Sequence, residues 1–156
     1  MCIFICVVFI YLTYVWHFLH DRRLHLAIIK PDASVAFRLI ELTRIPEYLE
    51  TQNKNYLHTP LHLAVITGQS LVVRALIISG ASLTTRDRHG NTALHLACKQ
   101  GDAECVRQLT APPSDEERLY IWRYCDAQGL PQRTIKPLQS SDIDLMNYEG
   151  KQCSLL

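Results

Sequence analysis

The stretch Thr59-Pro60-Leu61-His62-Leu63-Ala64 returns 33 residues downstream as Thr92-Ala93-Leu94-His95-Leu96-Ala97. Self-similarity at this period restricts the chain to an array of small stacked units, because no such unit can cover its own apolar face without a neighbour. The register extends beyond the hexapeptide: Gly68 maps onto Gly101, Val73 onto Val106 and Leu76 onto Leu109. A weaker copy, Leu24-His25-Leu26-Ala27, stands 37 residues before Leu61-His62-Leu63-Ala64. A degenerate one, Asn147-Tyr148-Glu149-Gly150, follows Asp87-Arg88-His89-Gly90 by 60 residues.

Each unit reads as helix, turn, helix and projecting hairpin. Thr59 can cap a helix whose first turn holds Pro60, where a missing N–H costs nothing. Leu61, Leu63 and Ala64 then share a face, and Gly68 ends the helix. A second helix is expected from about Leu71 to Ile78, with Val72, Val73, Leu76 and Ile77 apolar and Gly80 as its stop. Arg86-Asp87-Arg88-His89-Gly90-Asn91 reads as an exposed turn with Gly90 available for positive φ. The fold class is therefore all-α, an array of helix-turn-helix units with projecting β-turn hairpins.

The spacing also locates the irregularities. An apolar segment takes residues 1–20 and the repeat region 21–156, with units at about 22–58, 59–91 and 92–111, an insertion at 112–141 and a partial unit at 142–156. The four extra residues of the first unit fall around Arg44 to Tyr48, after a helix from about Ser34 to Thr43. Pro112, Pro113, Pro131 and Pro137 make most of the insertion loop, on the surface and more mobile than the units. Ser114-Asp115-Glu116-Glu117 forms a capping box that starts a short helix through Leu119, Ile121, Trp122 and Cys125. Because the last unit breaks off at Leu156, the array is expected to be truncated and marginally stable. Ile29, Leu39 and Ile40 at one end, and Leu96 and Leu109 at the other, should be left partly wet.

Whole function classes drop out on composition and spacing. A formal net charge of +1 over 156 residues, with Lys and Arg spread along the chain, supplies no field for capturing nucleic acid. Cys98, Cys105, Cys125 and Cys153 show no paired spacing for a metal and read as small thiols in a reducing compartment. His95 and Cys98 are three apart, as a base and nucleophile would be on a helix. The same histidine recurs at His62 beside Val65 and at His25 beside Ile28, so its task belongs to the repeat: tying adjacent units together by hydrogen bonds. Neither catalytic residues nor a cofactor site is expected.

The first nineteen residues pose a separate question. Only Thr13 and His17 interrupt the apolar run, and no charge appears before Asp21. At roughly 1.5 Å per residue such a run matches a bilayer core of about 30 Å. Arg22 and Arg23 would hold the rest of the chain in the cytosol. Against an anchor, only His20 to Arg23 separate the run from the first unit.

A period of 33 with a T-P-L-H-x-A core resembles the ankyrin repeat. Leu24 to Ile29, Gln52-Asn53, Thr59 to Thr67, Arg86-Asp87 with Gly90-Asn91-Thr92, and Leu94 to Gly101 look like the first three repeats of the inhibitor-of-NF-κB family. Asn147 to Cys153 is similar to the start of that family's fourth repeat. The long insertion before it resembles the insect, Cactus-like branch. This resemblance implies a non-enzymatic inhibitor that binds a Rel/NF-κB-type transcription factor dimer and retains it in the cytoplasm. The apolar run stands in place of the family's phosphorylatable degron, and of its acidic residues before the first repeat only Asp21 remains, beside Arg22 and Arg23, which would repel a basic localisation signal. A generic ankyrin scaffold and a membrane-tethered ankyrin protein with an unrelated partner stand as alternatives. Turn tips project away from stacked helices, so the expected partner contacts are Asn53, Asn55, Tyr56, Arg88 and His89, joined by Arg86 at the turn base.

Overall fold

The computed structural model describes residues 23–30, 32–42, 46–128, 138, 142 and 144–151. Helix α1 covers residues 23–29. It is followed by α2 (Ser34–Leu42) and a short 3-10 helix (Pro46–Glu50). Two helix pairs follow, α3 (Pro60–Ile66) with α4 (Ser70–Ile78) and α5 (Ala93–Gln100) with α6 (Ala103–Thr110). Last comes α7 (Asp115–Gln128). Among the described residues there is no strand beyond a bridge residue at Met146.

Packing follows the period. Within a unit α3 meets α4 and α5 meets α6; between units α3 meets α5, while α4 meets both α2 and α6. Leu61, Ala64 and Val65 of α3 and Val72, Val73, Leu76 and Ile77 of α4 occupy the centre of one apolar cluster. Leu24, Ala27 and Ile28 extend it on one side and Leu94, Ala97 and Cys105 on the other. Each large aliphatic residue removed from water here contributes about 1.5–3 kcal/mol, which is how units too small to fold alone hold together.

The helix ends repeat as well. Gln69 N–H reaches Ala64 O while Gly68 N–H reaches Val65 O. The same pair recurs from Asp102 to Ala97 and Gly101 to Cys98, and from Ala81 to Leu76 and Gly80 to Ile77. This pair of hydrogen bonds satisfies the last carbonyls and turns the chain sharply out of the helix.

Two expectations about the ends of the array are corrected. Ile40 and Leu109 are only 4% and 2% exposed, because α2 and α6 turn these residues toward α4 and the rest of the cluster. Leu39 and Leu96 pack partly buried against the cluster, and Ile29 is left 56% exposed as anticipated.

The insertion also differs in detail. Its helix runs to Gln128 and is fastened at its first turn. Arg74 of α4 makes a bidentate pair with Glu117, Nε to Oε1 at 2.8 Å and Nη2 to Oε2 at 2.6 Å. The same guanidinium donates to the carbonyls of Gln108, Ala111 and Pro112. Glu117 is thus held against α4, while also completing the expected capping box with Ser114. Residues 129–137 and 139–141 of the insertion lie outside the described residues, as do residues 1–20 with the expected anchor. No helix among the described residues is long and apolar enough to cross a membrane.

Cys105 and Cys125 are free and buried as expected, and burial first, then Asp102, pushes the Cys105 thiol up to about 12. Such a thiol is unreactive at neutral pH. Cys98 departs from the expectation of a reduced thiol: it is disulfide-bonded. Its position near the exposed end of α5 leaves it only partly buried.

Candidate protein-interaction edge

Three histidines at one repeat position build the edge from inside. His62 Nδ1 lies 2.8 Å from Thr59 Oγ1 and 3.2 Å from Thr59 N, closing a capping box at the start of α3. An Nδ1 that accepts from an N–H leaves the proton on Nε2, which donates to Asn91 O at 3.2 Å in the next unit. His25 makes the equivalent inter-unit bond to His58 O at 3.2 Å. The histidine thus ties units together as its recurrence predicts. His95 repeats the box with Thr92, Nδ1 2.9 Å from Oγ1, but its buried Nε2 has no acceptor among the described residues.

His62 and its neighbour His58 carry a pH signature. Burial lowers the pKa of His62 below the ordinary histidine value, partly offset by the Asn91 carbonyl. Burial likewise lowers that of His58, against the pull of Asp87, whose Oδ2 is 3.7 Å away. Both are therefore neutral in the fold and take up protons more readily when unfolded. Their contribution to stability is complete above the unfolded pKa of about 6.5 and is lost as pH falls through the folded values, since the unfolded chain binds more protons there. Asp87 does not move this window. Burial raises its carboxyl, yet hydrogen bonds from Asn91 and His89 outweigh burial and hold it below its ordinary value. The melting temperature is expected to fall steadily from pH 7.5 to 5.5; thermal melts that stay level across that interval would contradict the neutral-histidine arrangement.

The hairpins share one design. Asn53 Oδ1 accepts from Tyr56 N and His58 N, Asp87 Oδ1 from His89 N and Asn91 N, and Asn147 Oδ1 from Glu149 N and Lys151 N. A short polar side chain at the first position thereby replaces the strand pairing that an isolated turn lacks. Adjacent hairpins are then laddered: Arg88 N–H donates to Tyr56 O at 2.9 Å, and Tyr148 N–H to His89 O at 3.2 Å. Gln52 Nε2 bridges Leu57 O and Arg86 O at 2.9 and 2.8 Å.

All six residues expected to meet a partner lie along this ladder, in two different roles. Tyr56 is 56% exposed, with its ring stacked on His58 at 5.4 Å. Asn55, Arg88 and His89 are exposed, and the Arg88 guanidinium meets the Asn55 carbonyl at 3.1 Å. Asn53 and Arg86 are engaged within the array. The carboxamide of Asn53 holds its own hairpin, and Arg86 Nη1 reaches Met146 O at 2.9 Å with its guanidinium 5.8 Å from the Tyr148 ring centre. Asp87, expected in an exposed turn, is buried at 3% because it anchors that turn.

Sequence reasoning passed over Leu57, Met146 and Tyr148, which are 40%, 57% and 71% exposed on the same edge. Aligning the hairpins on His58, Asn91 and Lys151, whose N–H groups close the turns, puts Leu57 where Gly90 and Gly150 stand, in a first turn that is one residue longer.

Comparison with known proteins completes the picture. The model of ankyrin repeats, in three copies, matches residues 24–117. The chain is an ankyrin-repeat protein. It is 36% identical to human NF-kappa-B inhibitor epsilon over 85% of its own length and 23% of that protein's. Human NF-kappa-B inhibitor alpha is 44% identical over 58% of this chain and 28% of the relative. NF-kappa-B inhibitor cactus of Drosophila yakuba is 38% identical over 85% and 27%. The crystal structure of the ankyrin repeat domain of Bcl-3, described as a unique member of the IkappaB protein family, matches with a TM-score of 0.54 at 30% identity, covering 84% of this chain and 47% of that one. The chain spans about a quarter of the length of the curated relatives it matches. Ankyrin repeats of this kind are non-enzymatic protein-interaction modules, and the laddered hairpin edge is an exposed surface on which this ankyrin array can present side chains.

Proposed function

We propose that this ankyrin array binds a Rel/NF-κB-type transcription factor dimer and retains it in the cytoplasm, as the repeat portion of an NF-κB inhibitor. The observation that carries this reading is the similarity to NF-kappa-B inhibitors epsilon, alpha and cactus across the repeats themselves. Units at about 22–58, 59–91 and 92–111 supply the hairpins. Tyr56, Asn55, Arg88 and His89 meet the partner, while Asn53 and Arg86 hold the tips in place. Tyr56 brings apolar area with few rotors to order, and Arg88 brings charge-assisted hydrogen bonds, the two residue types that most often dominate such interfaces.

The test is titration of the full chain with a purified Rel-homology dimer, followed by imaging of a tagged dimer in cells that express the chain. Binding and cytoplasmic retention are expected, and Tyr56→Ala and Arg88→Ala should each weaken the complex by about 10- to 100-fold. An unchanged affinity in both variants removes the hairpin edge from the interface. No binding by the unaltered chain removes the Rel reading and leaves the generic scaffold.

A further inference from the structure

Leu57 is the one non-glycine residue with positive φ among the described residues, at +56°. Its N–H returns to Asn53 O at 3.0 Å, as Gly90 N–H does to Asp87 O and Gly150 N–H to Asn147 O, both also at 3.0 Å. The Leu57 bond spans four residues and the two glycine bonds three, so the first turn is one residue longer; each of the three stands just before the N–H that closes its turn, His58, Asn91 or Lys151, at φ +56°, +78° and +72°. Leucine is disfavoured there, since a Cβ crowds the following carbonyl in left-handed backbone. It is held in place by its surroundings: Gln52 fixes the Leu57 carbonyl while binding Arg86 O, and Asn53 Oδ1 fixes the N–H groups on either side.

The side chain receives little in return from the fold. It is 40% exposed and stands beside Tyr56, which is 56% exposed. Strain kept at a position that leaves two-fifths of a leucine exposed, where burial offsets it only in part, points to function. The charges nearby decide what kind. Lys54 on the same hairpin and Arg88 on the next are exposed, and Arg88 meets a backbone carbonyl instead of a carboxylate. The one carboxylate in these two hairpins, Asp87, is buried and spends its oxygens on the turn. The edge around Leu57 is therefore apolar at its centre and positive at its rim.

Building on the Rel-dimer reading, we infer that Leu57 is an anchor that inserts into an apolar pocket of the protein partner, a pocket rimmed by carboxylates that face Lys54 and Arg88. A protein pocket fits better than a lipid surface, because one leucine and one tyrosine on a rigid turn offer too little apolar area to hold a membrane.

Leu57→Gly and Leu57→Asn in the full chain test the inference. Both residues accept left-handed backbone, so the melting temperature should rise by about 2–6 °C, while affinity for the Rel-homology dimer falls at least about tenfold. Lys54→Glu with Arg88→Glu should slow association at low salt. Opposite movement of stability and affinity is what a merely structural leucine would not produce. Lower melting temperatures in both variants, or unchanged affinity, overturn the anchor and leave the Rel reading intact. No binding by the unaltered chain overturns both. Sedimentation with phosphatidylserine vesicles that is lost in Leu57→Gly overturns the protein pocket in favour of a membrane surface.

Discussion

Replacing Gly90 by alanine is expected to cost about 2–4 kcal/mol, the sum of a left-handed backbone penalty and local overpacking. Gly90 has φ +78°, and a Cβ there would stand 2.6 Å from Tyr148 Cγ and 2.8 Å from the Tyr148 backbone nitrogen. The second contact matters most, because trimming the tyrosine ring does not move the main chain. Gly90→Ala combined with Tyr148→Ala should therefore stay destabilised. Gly101→Ala is the control: φ is +69°, but nothing lies within 4 Å of the added carbon. It should lose only the conformational part, about 1–2 kcal/mol. Denaturant melts of the three variants measure this, and equal losses at Gly90 and Gly101 would mean that the third hairpin does not close over the second.

His62→Ala should be at least as damaging, about 3–5 kcal/mol. The ring is 1% exposed, so its removal leaves a cavity. It also strips Thr59 of its capping partner and Asn91 O of a donor, and ends the stack on His58 at 5.8 Å. His95→Ala provides an internal comparison, because the two histidines share the same box and differ in the far nitrogen. His95 Nε2 has no acceptor among the described residues, so its variant should be milder by about 1–2 kcal/mol, the worth of the inter-unit bond. Unfolding free energies that match within error would show that the bond to Asn91 contributes nothing to holding the units together.

Much of the edge could be read in advance, for a physical reason. Position within a repeat decides whether a residue lies on a helix face or at a hairpin tip, so Tyr56, Arg88 and His89 could be assigned to the surface from spacing alone. Direction along the edge could not. Arg86 and Asn53 sit in the same turns, yet one guanidinium is drawn sideways to Met146 O and one carboxamide is turned inward by two N–H groups. A period carries no information about which polar side chain finds a partner in the neighbouring turn. Leu57 escaped notice for a related reason: its oddity is a backbone angle, and leucine by type suggests a core residue.

The 33-residue period, the Thr59 and Thr92 caps and the recurring histidine determined by themselves that this chain forms a helical ankyrin array whose turns project. Those features are local, and each acts within a few residues or on the adjoining copy. Tertiary structure alone decided what the interrupted period leaves behind. The insertion helix is fastened to α4 because Arg74 lies opposite Glu117 and three unpaired carbonyls, partners 34 to 43 residues away. Ile40 and Leu109 are covered because their helices turn inward, and His95 Nε2, unlike His62 Nε2, has no acceptor among the described residues. Long-range pairings of this kind depend on how rigid units settle against one another, which no local pattern encodes.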